Sequence, residues 1–203
     1  MYMKVFLDCG INMGQGLNEF DGKLKLINQP DWKIYCFEPN PCIGLTTLFP
    51  KATNITYLQK AVWIKNTSLE FRMQGKDADN LNGLGSKLEV VDKKYNPGNC
   101  RFKLETVEAI DLSEFILKLV KEDSNVEIYM KMDIEGAEFE VLQHLIDTNT
   151  IRYIKEVYCE CHGRFRFALE DQKKPEIKKK IRDIENGLKQ SVERENVKFH
   201  FWI

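Results

Sequence analysis

At 203 residues, with 43% hydrophobic and 30% charged residues, the chain has the length and composition of one well-cored globular domain. Thirty basic against thirty-one acidic residues leave a formal charge of −1, which gives no electrostatic reason to expect nucleic acid or an anionic membrane as partner. No apolar run approaches the ~20 residues of a membrane span, and MYMKVFLDCG turns polar too soon for a signal peptide.

In chain order, residues 4–8 read as an apolar strand, followed by the turn DCGINMG at 8–14 and a helix over 15–27. A second strand at 33–37 ends in Glu38-Pro39-Asn40-Pro41, where the prolines stop it. A third spans 55–63 and runs towards an extra strand at 68–73. Residues 74–101 are rich in Gly, Asn, Asp and Lys without periodicity, and are expected to be a substrate loop. After a strand at 102–110, Asp111 can cap a helix with Glu114 three residues on, and Leu112, Phe115, Ile116, Leu119 and Val120 form its apolar stripe. A fourth core strand at 126–132 enters Asp133-Ile134-Glu135-Gly136 and a helix with Phe139, Leu142 and Leu145. The fifth strand is 154–161. A GRFRF connector, a helix from Pro175 and a closing strand at 197–203 follow. This βα alternation predicts an α/β fold with a mainly parallel sheet covered by helices. The six cysteines (Cys9, Cys36, Cys42, Cys100, Cys159, Cys161) form no CxxC pair, and four lie in or beside strand-like runs. They read as small buried hydrophobes in a reducing, cytoplasmic compartment rather than as zinc ligands.

In such a sheet, ligands lie beyond the carboxyl ends of the strands, where strand order reverses. Gly10, Asn12 and Gly14 form a turn that lets backbone approach a ligand and aims helix amides at it. Glu38, two dozen residues after that turn, stands where a carboxylate holds a ribose diol. The pair suits a dinucleotide or S-adenosylmethionine. The GxNxG register and the preceding carboxylate Asp8 favour the second, because Asp8 suits a cationic amino-acid end and is poor beside phosphates. Asp133 and Glu135 follow the fourth strand, and Glu160 and His162 leave the fifth on one side. Asp133, Glu160 and His162 can therefore surround one pocket. There His162 would serve as general base, the three would bind a divalent metal, or His162 would simply be a hydrogen-bonded strand end. Arg164 and Arg166, interleaved with Phe165 and Phe167, would meet an acidic or sugar substrate or pack as a surface loop.

FLDCGINMG, CFEPNP, the AVW closing the third strand, AIDLSEF and YMKMDIEGAEFEVLQ succeed one another as the motifs of FkbM-type methyltransferases do, and the chain resembles that family from about Lys4 to His162. The resemblance implies a Rossmann-like class I methyltransferase fold: a three-layer α/β/α sandwich on a mostly parallel seven-stranded sheet, here with a sixth strand that is missing or degenerate, and an antiparallel final strand. It implies S-adenosylmethionine as donor, S-adenosylhomocysteine as product, and an acceptor hydroxyl on a sugar, polyketide or similar metabolite. On that basis Asp8, Gly10, Asn12 and Gly14 shape the donor pocket and Glu38 holds the ribose. Asn40 and Ala61 lie near the adenine, Asp133 lies near the methionine portion, and Ser86 corresponds to a serine beside the site in relatives. The first strand starts almost at Met1, so helices that cover the substrate in many class I enzymes are missing. The expectation is an open acceptor site on a single domain, residues 1–203, or a chain that is one domain of a larger protein. The polar residues Asp77, Asp79, Asn80 and Asn82 tilt the acceptor towards a sugar or glycan over a non-sugar metabolite. A non-catalytic donor-binding domain is the reading from a different class.

Overall fold

In the computed structural model, which describes residues 3–75, 86–88 and 101–202, a parallel sheet is built around β1 (Lys4–Cys9). Its alternate side chains enter two cores. Val5, Leu7 and Cys9 point into one cluster and Phe6 into the other, as the two-residue period of a strand buried on both faces requires. Helix α1 (Gln15–Leu24) covers the Phe6 side with Leu17 and Phe20. Its chain leaves the helix where expected in kind but three residues early. Lys25 takes φ 55°, and the Asp21 carboxylate accepts from the amides of Leu26 and Ile27.

The sheet continues through β2 (Trp32–Phe37) to β3 (Ile55–Leu58) on one side, after the single-turn helix α2 (Leu45–Leu48). The expected third strand over 55–63 is not one strand. Lys60 N–H donates to Leu58 C=O (2.8 Å), a tight i to i+2 turn that ends β3 and throws β4 (Ala61–Trp63) into a second sheet. There β5 (Thr67–Gly75) pairs antiparallel with β6 (Lys87–Leu88) and β7 (Arg101–Asp111), and β4 pairs parallel with β7. The ends of the expected 74–101 loop thus belong to strands, while residues 76–85 and 89–100, with Asp77, Asp79, Asn80 and Asn82, lie outside the described residues.

Helix α3 (Leu112–Glu122) returns the chain to β8 (Glu127–Met132), which pairs with β1 on the side opposite β2. Helix α4 (Glu138–Asp147), β9 (Ile154–Cys159), α5 (Pro175–Arg194) and β10 (Lys198–Phe201) complete the order β10-β9-β8-β1-β2-β3, with every pairing in that sheet parallel. Ile116, Leu142 and Leu188 of α3, α4 and α5 join the Val5 cluster. The architecture is the expected Rossmann-like α/β type, but the main sheet has six strands and the antiparallel C-terminal strand is corrected. β10 runs parallel to β9, Lys198 opposite Glu156 and Phe201 opposite Cys159. The cause is α5: 20 helical residues span ~30 Å and carry the chain back to the end where β9 began, as a parallel crossover must.

The cap of α3 shows how local chemistry sets an element. Asp111 Oδ1 accepts from the amides of Ser113 (2.8 Å) and Glu114 (3.3 Å), while His144 Nε2 stands 3.0 Å away. The reciprocal half of the expected capping box is supplied by Asn66, whose Oδ1 accepts from Asp111 N–H and whose Nδ2 donates to Glu114. Burial opposes the Asp111 charge, yet the Ser113 and His144 contacts hold its pKa below the ordinary 3.8. Asp111→Ala should cost about 1–2 kcal/mol in urea denaturation at pH 7, and Asp111→Asn markedly less. The folded pKa is depressed, so this contribution is whole at neutral pH and fades as acid protonates the carboxyl.

Candidate functional site

Strand order reverses between β1 and β8, so their carboxyl ends open a crevice. The turn after β1 holds Gly10 at φ +83°, Asn12 at φ 46° and Gly14 at φ +83°. A Cβ on Gly10 would stand 1.9 Å from the Asp133 carbonyl oxygen, so the β1 and β8 turns touch backbone to backbone there. The amides of Gly10 and Ile11 both donate to Phe37 C=O, pinning the turn to the end of β2. Glu38, just past β2, lies between the β1 turn and the turn that follows β2. Its Oε2 accepts from Asn12 N–H (3.0 Å) and its Oε1 from Asn40 N–H (2.9 Å). Burial pushes its pKa up to about 7, against the pull of those amides.

These groups wall a concave, largely apolar pocket with a few convergent polar groups, the kind of lining that small-molecule sites have. Gly10, Asn12 and Glu38 form one polar side, while Phe37, Ala61, Val62 and Phe71 form an apolar wall. Asp133, Glu135 and Ser86 close the far end, where Ser86 Oγ accepts from Gln74 N–H (3.0 Å). Asn12 Oδ1 is buried with no hydrogen-bond partner. Asp8, Gly14 and Asn40 do not line this cavity. Gly14 starts α1 against Phe49, and Asn40 acts through its amide on Glu38.

Asp8 is fully buried and stands in register with Lys131 of β8. Lys131 Nζ donates to Gly10 C=O (2.6 Å) and lies 3.3 Å from Asp8 Oδ1 and 3.5 Å from Asp133 Oδ2, with the Trp202 ring 5.0 Å away. Burial works against the ammonium, but Asp8 and Asp133 outweigh it and raise its pKa, so it stays charged. The carboxylate expected to face a cationic ligand instead faces this internal cation. The reading of the sequence overlooked Lys131. Its signal was a lone charge inside the apolar run Ile128–Met132, which requires a buried partner.

Glu138 was also overlooked. Fully buried, it accepts from the amides of Ile134 (3.0 Å) and Gly136 (2.9 Å), and from His162 Nδ1 (2.9 Å). This brace holds the turn in which Glu135 takes φ 53° and Gly136 φ 104°. The result brings Asp133, Glu135, Glu160 and His162 together. His162 Nε2 stands 3.4 Å from Glu160 Oε1, 3.5 Å from Glu135 Oε2 and 3.9 Å from Asp133 Oδ1. Its ring stacks on Phe165, which in turn lies under Lys87. Burial alone would lower the imidazole pKa, but Glu138 and the surrounding carboxylates raise it to about 10. Burial raises Asp133 and Glu135, whereas contact with His162 holds Glu160 below the carboxylate range. Arg164 stays outside: it is exposed over Phe165 and lines a separate groove with Glu185 and Trp202. Arg166 pairs with Glu140.

A glycine turn and an acidic strand end flank the point where strand order switches, the arrangement of a Rossmann-like fold. The family model for the FkbM methyltransferase domain matches residues 8–184, from Asp8 into the middle of α5. The chain belongs to the FkbM methyltransferase family, and it is a methyltransferase. Neither a curated protein nor a solved structure matches it.

Lys131→Met leaves two carboxylates facing each other without a cation and should cost about 3–5 kcal/mol. The double variant Asp8→Asn/Lys131→Met should recover part of that loss in urea denaturation. Equal loss in both would show that Lys131 does not act through Asp8.

Proposed function

We propose that this methyltransferase takes its methyl group from S-adenosylmethionine and transfers it to a hydroxyl oxygen of a sugar or glycan. The observation that carries the donor is Glu38, a carboxylate pinned at the cavity wall by two amides, with lone pairs left to accept both hydroxyls of a ribose. The apolar wall of Phe37, Ala61 and Val62 suits the adenine. Asn12 Oδ1, buried and unpartnered, suits the donor's ammonium group, with Asp133 beside the methionine portion. S-adenosylmethionine supplies an electrophilic sulfonium methyl, so the protein's main tasks are alignment and exclusion of water.

At the acceptor end, Asp133, Glu135 and Glu160 meet the incoming hydroxyl, and Ser86 borders it. The His162 side chain is fully buried behind these carboxylates, which supports a positioning role for it over the general base expected from the sequence. A carboxylate takes the hydroxyl proton as the new C–O bond forms. A mouth of three carboxylates accepts hydrogen bonds from vicinal hydroxyls and repels anionic acceptors, which favours a neutral sugar. On the same reading residues 1–203 act as one catalytic domain, in a larger protein where further domains accompany it. Free cysteines, with Cys159 and Cys161 Sγ 3.5 Å apart, suit the reducing cytoplasm. No helix among the described residues is long and apolar enough to cross a membrane.

Calorimetry should show S-adenosylmethionine binding and no NAD binding; the reverse would overturn the reading. Glu38 accepts the diol as a carboxylate, so affinity should rise about tenfold between pH 6 and pH 8, across its raised pKa. Glu38→Gln should bind at least about tenfold more weakly at pH 8, with a flat pH profile. In a methyl-transfer assay over neutral glycans and non-sugar alcohols, turnover confined to the latter would discard the sugar. Donor binding without any turnover would favour a non-catalytic domain.

A further inference from the structure

The two ring nitrogens of His162 have different surroundings. Nδ1 is committed to Glu138 at 2.9 Å. Nε2 is buried, has no hydrogen-bond partner, and is aimed at the carboxylates of Asp133, Glu135 and Glu160. With Nδ1 held by a carboxylate, Nε2 is the nitrogen left to bind a cation, which displaces the proton that the surrounding carboxylates otherwise hold there. One ligand atom each from Asp133, Glu135 and His162 lies within 4.8 Å of the others. Ligands of an octahedral cation with ~2.1 Å bonds stand ~4.2 Å apart when opposed and ~3.0 Å when adjacent, so the His162–Glu135 and His162–Asp133 pairs, at 3.5 and 3.9 Å, need close by up to about 0.9 Å. Asp133 is oriented for this, since its Oδ2 faces Lys131 and its Oδ1 faces His162.

We propose that Asp133, Glu135 and His162 Nε2 form a site for one divalent cation of the Mg²⁺ or Mn²⁺ type, with Glu160 at its edge. Two carboxylates and one imidazole make a mostly hard donor set, which suits these ions over Cu(I) or a thiolate-held Zn²⁺. The set differs from the Asp133, Glu160 and His162 expected from the sequence. The positive φ of Glu135 turns its carboxylate inward, while Glu160 stays one-third exposed at the rim. The site opens on the cavity through Asp133 and Glu135, which leaves coordination positions facing the acceptor. Its catalytic meaning, holding and acidifying the acceptor hydroxyl, rests on the methyltransferase reading above; the binding of the ion does not.

The test titrates Mn²⁺ alone into the full chain, without donor or acceptor, and follows free Mn²⁺ by electron paramagnetic resonance. One Mn²⁺ per chain should bind, and Mg²⁺ should displace it. Glu135→Gln, and independently Asp133→Asn, each checked for folding by circular dichroism, should weaken binding at least about tenfold. Undiminished free Mn²⁺ in the wild type, or unchanged affinity in the folded variants, would overturn the site. Mn²⁺ binding without S-adenosylmethionine binding would support the site and count against the donor assignment. Donor binding without Mn²⁺ would do the opposite.

Discussion

The Lys131 ammonium ties together the two turns that make the crevice. It reaches the Gly10 carbonyl, Asp8 on β1 and Asp133 beyond β8. A cation this deeply buried is tolerated only because the carboxylates offset its desolvation. Both turns meet the same nitrogen, which reinforces the backbone bond from Asp133 N–H to Cys9 C=O that joins the two strand ends. The missing Cβ of Gly10 then lets the Asp133 carbonyl approach. Everything at the switch point, from the Glu38 shelf to the Asp133 end, takes its position from that junction.

Around it, carboxylates of identical chemistry divide the work by environment. Asp8 faces an internal cation and never reaches the cavity. Glu138 spends its oxygens on turn amides and a histidine, so it acts as scaffold. Glu38 is held by two amides yet keeps lone pairs towards the cavity. Asp133, Glu135 and Glu160 crowd His162 at the mouth, and their mutual repulsion is contained by that ring and by Lys131. Acidic side chains thus gather at one end of a slot that has a polar side along Asn12 and Glu38 and an apolar wall along Phe37, Ala61 and Val62.

Much of the arrangement was legible in the chain. The strand-like runs, the glycine turn, the position of Glu38 and the DIEGAE motif lead to a parallel α/β sheet and a methyltransferase family, which the fold and the family match bear out. Other features were not. The break at Gln59–Lys60 is hard to read in ITYLQKAVW, because two polar residues fit an exposed stretch of strand as well as a tight turn. The direction of β10 followed from the length of α5, which local pattern does not relate to the sheet. His162 looked like a base because its residue type suits that role, while its burial behind three carboxylates depends on how β8 and β9 end side by side.

The amino-acid sequence by itself determined the periodicities, the positions needing positive φ and the strand ends that carry charge, since these depend on neighbours a few residues apart. Only the tertiary structure decided that Asp8 would meet Lys131, that Glu138 would brace the turn and that Glu135 would join Asp133 and His162. Those pairings arise from strand register and from which side chains share one end of the sheet. They are distances between residues far apart in the chain, and no local spacing encodes them.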